Sequence, residues 1–138
     1  MIEAFLPWAP TPDRDSAPWW DGLADGELRL QRCEACATLR WPARALCNRC
    51  RSFEHVWEVQ DGAGTVWSWI RTHQVFAPAL REAVPYRVVQ VRLDAQDDLL
   101  LIGGWLAERE PKAKEAVRLE IVEGADGFHL PCWRPTID

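Results

Sequence analysis

The chain has 138 residues, 48% of them hydrophobic, with a formal net charge of −5 and an isoelectric point near 5.2. That size supports one buried core and a small appendage but not two large independent domains. The acidic balance withholds the positive field that a phosphate backbone or an anionic lipid surface would need, so neither nucleic acid nor membrane is expected as a partner.

No apolar run approaches the ~20 residues that span a bilayer. The opening MIEAFLPWAPTPDRD mixes acids with prolines and does not read as a secretory signal. The expected location is therefore cytoplasmic, where five cysteines are metal ligands or free thiols more readily than disulfides. Nine tryptophans against one tyrosine and four phenylalanines exceed what so small a chain can bury completely. Most read as packing residues, and the remainder mark a partner or ligand surface.

In chain order, residues 1–15 form an extended or disordered arm, because Pro7, Pro10 and Pro12 prevent a helix. Ser16 as cap and Pro18 in a first turn predict a short helix carrying Trp19, Trp20 and Leu23 and ending before Gly26. Leu28 and Leu30 alternate with Arg29 and Gln31, which predicts a strand leading into a cysteine cluster. Beyond the cluster come strand-like runs at Phe53–Val59, Thr65–Val75, Tyr86–Leu93, Leu99–Leu106, Val117–Ile121 and Phe128–Trp133. Gly103 and Gly104 inside one run predict a bulge, a tight bend or a close backbone approach, and residues 107–116 can hold a helical turn. The predicted class is mainly β: an N-terminal arm and helix over 1–26, a ribbon over 27–52, and a five-stranded Greek-key barrel of the OB kind over 53–138.

Two Cys-x-x-Cys pairs, Cys33/Cys36 and Cys47/Cys50, are separated by ten residues. Each pair forms a knuckle that presents two thiolates, and the hairpin between them completes a tetrahedral set. Four soft ligands with no open position favour a closed structural Zn²⁺, one per chain, although iron in a rubredoxin-like arrangement would use the same donors. Few apolar residues surround the cluster, so the ion should supply most of its local stability. Cys132 stands apart, and His55, His73 and His129 show no ligand-like spacing. A buried apolar thiol and structural histidines are the better readings of these residues.

Taken in order, PWWDGLADGELRLQRCEAC, CNRC, GAGTVWSW, VPYRVVQVRLD and LPCWRP resemble the acyl-CoA-associated OB-fold proteins with an N-terminal rubredoxin-like zinc ribbon, long known as a domain of unknown function. The resemblance covers residues 17–135. Cys33, Cys36, Cys47 and Cys50 fall on the family's metal positions. Gly62, Gly64, Val66 and Ser68 match its entry into the first barrel strand, and Pro85 with Tyr86 match the opening of the second. The chain departs from the family before Val117, where Lys114, Glu115 and Ala116 replace the usual glycine and aliphatic residue.

The resemblance implies an accessory subunit without catalytic residues, paired with a thiolase-like or aldolase subunit in a heterotetramer, with acyl-CoA at or near the interface. Trp19, Trp20, Phe76 and Leu80 are the candidate partner-binding residues, because their segments are short and proline-interrupted. The tryptophan excess fits a large apolar acyl group such as a steroid or aromatic ring, and equally a protein interface.

Two rival readings stand beside this one. The first is a single-stranded nucleic-acid module whose tryptophans stack on bases, against which the net charge counts; the locally basic Arg40, Arg44, Arg49 and Arg51 read instead as a contact for CoA phosphates or an acidic partner face, and equally as a solvated surface. The second is a free-standing acyl-CoA-binding protein or enzyme relying on Cys132 or His73, for which no activating base is visible.

Overall fold

The computed structural model describes residues 9–137. Residues 1–8 of the expected arm, Trp8 included, lie outside them. Helix α1 (Ala17–Ala24) follows a turn in which Asp13 and Ser16 bond each other reciprocally: the Asp13 N–H donates to Ser16 Oγ (3.1 Å) and the Ser16 N–H to Asp13 Oδ1 (2.7 Å). Ser16 thus occupies the N-cap position, but its hydroxyl serves the preceding turn and not the helix, contrary to expectation. Gly26 at φ 78° ends α1, with its N–H donating to Leu23 O (3.0 Å) and the Glu27 N–H to Gly22 O (2.8 Å). This is the paired C-terminal closure that a left-handed residue permits.

Strand β1 (Leu28–Cys33) is the centre of a three-stranded antiparallel sheet, flanked by β2 (Leu39–Arg40) and β3 (His55–Gln60). The run near Phe53–Val59, expected as the first barrel strand, pairs instead along the whole of β1, from Leu28↔Gln60 to Cys33↔His55. The barrel is closed by the five later strands, β4 (Ala63–Thr72), β5 (Tyr86–Leu93), β6 (Leu100–Trp105), β7 (Ala116–Glu123) and β8 (His129–Pro135), in the order β4-β5-β6-β8-β7. The β6–β8 pairing is parallel and the other four are antiparallel. The class is therefore mainly β, with one short helix, a ribbon and an OB-type barrel.

A Cβ on Gly103 would lie 2.4 Å from Pro131 O and 2.9 Å from Trp133 Nε1, so that glycine allows the core indole to pass under β6. The connection 107–116 holds bends and a turn in place of the expected helical turn. Arg109 bridges it, with Nη2 2.7 Å from Glu115 Oε2, and Lys114 adopts φ 64°, the conformation for which glycine is suited.

One continuous cluster of buried side chains runs from Trp19 and Leu23 of α1 through Leu28, Leu30 and Leu39 into Val66, Val91, Leu101 and Trp133 of the barrel. Ribbon and barrel therefore share their core. A single barrel side chain adds a polar bond to the same junction: Gln96 accepts from the Leu39 N–H (2.9 Å) and donates to Leu39 O (2.8 Å). Among the described residues no helix is long and apolar enough to cross a membrane.

Candidate metal centre and apolar surfaces

The cysteines sit in two knuckles of the same design. Cys33 ends β1, where its N–H donates to Thr38 O (2.9 Å) and its carbonyl accepts from Ala37 (2.9 Å). In the second, the Cys47 N–H donates to Ser52 O (2.9 Å) and its carbonyl accepts from Arg51 (3.0 Å). Ala37 (φ 64°) and Arg51 (φ 66°) are both left-handed, so each knuckle contains a strained non-glycine residue.

The four Sγ atoms lie within 4.8 Å of one another, with Cys33–Cys50 at 3.5 Å and Cys36–Cys47 at 3.7 Å. Zn–S bonds of about 2.3 Å in a tetrahedron require S–S edges of roughly 3.8 Å, so the set fits the ion. The electrostatics agree. Backbone N–H groups of Cys50 and Arg49 hold the Cys47 thiol down to about 6, and those of Cys36 and Ala35 lower Cys33. Cys50 accepts from the Ser52 N–H, yet the neighbouring thiols Cys33, Cys36 and Cys47, together with burial, push it up to about 11. A dication among the thiols offsets the mutual effect that raises Cys50. The tetrad is a structural zinc site. Its four thiolates fill the tetrahedron and leave no position for a reacting water.

The predicted partner residues separate into two groups. Trp19 and Leu80 are each only 4% exposed, so neither is the free anchor that its short segment implied. Trp19 is covered by Trp20 and Trp41, each with its ring centroid 4.6 Å away. Leu80 turns inward from the 3-10 turn Pro78–Leu80. Trp20 is half-buried, and Phe76 is 68% exposed.

Sequence reasoning missed an apolar strip on the outer face of the barrel. Ile70 pairs with Val88, and Gln90 with Ile102, placing Ile70 (62% exposed) on β4 and Ile102 (60%) on β6, either side of β5 on the same face. A bulge between Val66 and Ser68 turns Trp67 outward beneath the Arg92 guanidinium, 4.7 Å from its ring centroid. The signal was the run Trp67–Ile70, in which both strand faces are apolar.

Beside this strip lies an apolar cleft of about 470 Å³, walled by Trp19, Trp20 and Trp41 and floored by β5, β6 and β8. Cys132 belongs to its lining, where burial pushes the thiol up to about 11, the direction that disfavours the nucleophilic thiolate. His73 is exposed, and His55 lies 3.2 Å from Gln31 Nε2, outside the cysteine tetrad.

The basic patch is smaller than the sequence implied. Arg40 is buried and donates through Nη1 to the carbonyls of Arg44 (2.9 Å) and Ala45 (3.1 Å). Arg44 folds back onto Trp41 O (2.7 Å), leaving Arg49 and Arg51 exposed.

A family model described as the ChsH2 rubredoxin-like zinc ribbon domain matches residues 20–56, and one described as the ChsH2 C-terminal OB-fold domain matches residues 57–122. A solved structure named Ltp2-ChsH2(DUF35) aldolase contains a chain that aligns with 94% of this one and 100% of its own length, at 31% identity and a TM-score of 0.82. A probable enoyl-CoA hydratase alpha subunit of Thermomonospora curvata is 34% identical over 132 residues, which is 93% of this chain and 40% of that protein. The 3-oxo-4,17-pregnadiene-20-carboxyl-CoA hydratase alpha subunit of Mycobacterium tuberculosis is 34% identical over 85 residues, 62% of this chain and 26% of that protein. The chain thus spans less than half the length of these two curated relatives.

Proposed function

Because the chain belongs to the ChsH2 family of zinc-ribbon and OB-fold proteins, we propose that it is the non-catalytic subunit of an acyl-CoA-processing complex. Its partner in this reading is a thiolase-superfamily subunit of the aldolase type, which breaks or forms a carbon–carbon bond. The observation that carries the reading is the likeness along the full length of the ChsH2 chain named with an aldolase.

The chain's own chemistry supports a passive role. Its zinc is coordinatively closed, and its one cysteine outside the metal site is held protonated. This chain spans only 40% and 26% of the two relatives named as hydratase subunits, and in this reading the hydratase activity of their names belongs to the part it does not cover.

What the chain offers instead is surface. Phe76, Ile70 and Ile102 supply exposed apolar area of the kind that anchors an interface. The substrate class in this reading is an acyl-CoA with a large apolar acyl group, in line with the pregnadiene-carboxyl-CoA named for one relative.

The test is co-expression with an aldolase-type thiolase-fold subunit, size-exclusion chromatography, and an assay for retro-aldol cleavage of an acyl-CoA. The expected result is a complex of two copies of each chain that is active where this chain alone is not. Separate elution, with the partner equally soluble and active alone, refutes the proposal.

A further inference from the structure

We propose that Arg40 is the buried counter-charge of the metal centre: its guanidinium offsets part of the negative charge that four thiolates leave on a dication.

Arg40 is only 1% exposed, yet none of the ion pairs among the described residues includes it. Its Nη1 donates to the carbonyls of Arg44 (2.9 Å) and Ala45 (3.1 Å), whereas Nε and Nη2 have neither an acceptor nor contact with solvent. Arginine does not escape burial by losing its proton, and a buried cation without an opposing charge is strongly destabilising. The folded ribbon therefore has to supply that opposing charge by another route.

The strand register places one close by. Arg40 pairs with Gln31 across β1 and β2, and the Cys33 N–H donates to Thr38 O (2.9 Å), so Arg40, Thr38 and Cys33 share one face of the sheet. Diagonal neighbours of this kind, such as Arg40 and Cys33, lie about 7–8 Å apart. Thr38 on the same face brings its Oγ1 to 3.2 Å from Cys36 Sγ. Ala45, whose carbonyl Arg40 holds, stands two residues before Cys47. The guanidinium thus stands beside the approach to both knuckles. Four thiolates on a dication carry a net charge of 2 − 4 = −2. Away from water, attraction between such groups is only weakly screened.

The other cations near the tetrad are engaged or wet. Arg32 pairs with Glu58, and Arg44 folds onto the carbonyls of Trp41 and Pro42. Arg49 and Arg51 are exposed, so solvent and salt screen them.

The test compares Arg40→Gln, which keeps a donor for the loop carbonyls and removes the charge, with Arg40→Lys, which keeps the charge and loses the fork. The full chain is loaded with zinc for affinity by chelator competition. It is loaded separately with iron, which the same donors accept, for the Fe(III)/Fe(II) potential. A nearby cation favours the more negative Fe(II) tetrathiolate, so removing it lowers the potential. Arg40→Gln should weaken zinc binding at least tenfold and lower the potential by about 59 mV, the equivalent of tenfold for one electron. Arg40→Lys should stay within threefold of the unmodified chain in zinc affinity, and within about 28 mV on the same scale. Arg49→Met should shift the potential by less than twofold, about 18 mV. Gln31→Leu removes the amide bonds that hold Arg44 and should lower the thermal midpoint without moving the potential.

An unchanged potential in Arg40→Gln overturns the proposal, as does an equal fall in Arg40→Lys or in Gln31→Leu, since a purely structural role would make these variants alike. Should Arg40→Gln not fold, Arg40→Lys decides: zinc held within threefold supports the counter-charge, and loss of zinc overturns it. All of these are measured on this chain alone, so they stand or fall separately from co-elution with the aldolase-type subunit.

Discussion

Gln96→Leu tests whether the ribbon is fastened to the barrel by a side chain acting as a piece of backbone. The glutamine amide replaces a strand partner for Leu39, accepting from its N–H at 2.9 Å and donating to its carbonyl at 2.8 Å. Leu39 is 2% exposed, so water does not readily take over either bond. Each net hydrogen bond contributes about 1 kcal/mol, and each buried peptide group left unpaired costs about 1–3 kcal/mol. Partial relaxation toward solvent lowers the total, and about 2 kcal/mol is expected. For 138 residues, an unfolding entropy of about 2.1 cal/mol/K per residue converts this to a drop in Tm of roughly 7 °C. Urea unfolding followed by tryptophan emission measures the free energy, and calorimetry the midpoint. A loss below about 0.5 kcal/mol would show that the amide pairing is incidental and that apolar burial alone holds the ribbon in place.

Cys47→Ser should reduce bound zinc from one ion per chain to near zero by elemental analysis, and should lower the stability of the barrel as well, because Leu28, Leu30 and Leu39 belong to the barrel's core. An unfolding transition that stays unchanged after zinc is lost would contradict the shared core. Lys114→Gly should stabilise the chain by about 0.5–1 kcal/mol in urea unfolding, since Lys114 holds φ 64°; a destabilised variant would mean that the lysine side chain makes a compensating contact. Ile70→Asp and Phe76→Ala, both at exposed positions, should leave zinc content and Tm unchanged while weakening co-elution with the partner, by about 2 kcal/mol or more for a central anchor. Unchanged co-elution in both variants would move the interface elsewhere.

The metal centre was legible because spacing alone defines it: two Cys-x-x-Cys pairs on a hairpin can converge whatever surrounds them. Strands β5 and β7 were legible because alternation matches their burial, with Val89, Val91 and Leu93 inward on one and Val117 inward on the other. The partner of β3 was not legible, since its short, half-exposed run of apolar and polar residues serves an edge of the ribbon sheet as well as it would serve a barrel. Gln31 and Gln96 carried no signal. A glutamine in a strand or turn looks like surface, and only the fold brings Arg44 and Leu39, 13 and 57 residues away, within reach of their amides. The burial of Trp19 was missed for a related reason: a short, proline-flanked segment cannot bury an aromatic by itself, but Trp41, distant in sequence, covers it.

The continuity of the core gives the chain a structural reason to hold a metal. Trp41 follows directly on β2, the two-residue strand that pairs with β1 between the cysteine knuckles. Its ring is 4.6 Å from that of Trp19, which in turn rests against Trp20 on the helix. Cys33 ends β1, and Thr38, bonded to it, precedes β2. The zinc therefore fixes the start of a short chain of contacts that ends at the wall of the apolar cleft. Two residues of strand are too few to hold Trp41 in place by hydrogen bonding alone, given the cost of ordering each residue. A tetrahedral ion closing the loop on both sides supplies the missing rigidity. In this arrangement the metal acts on the cleft through position, and its distance from any reacting atom is no objection to its importance.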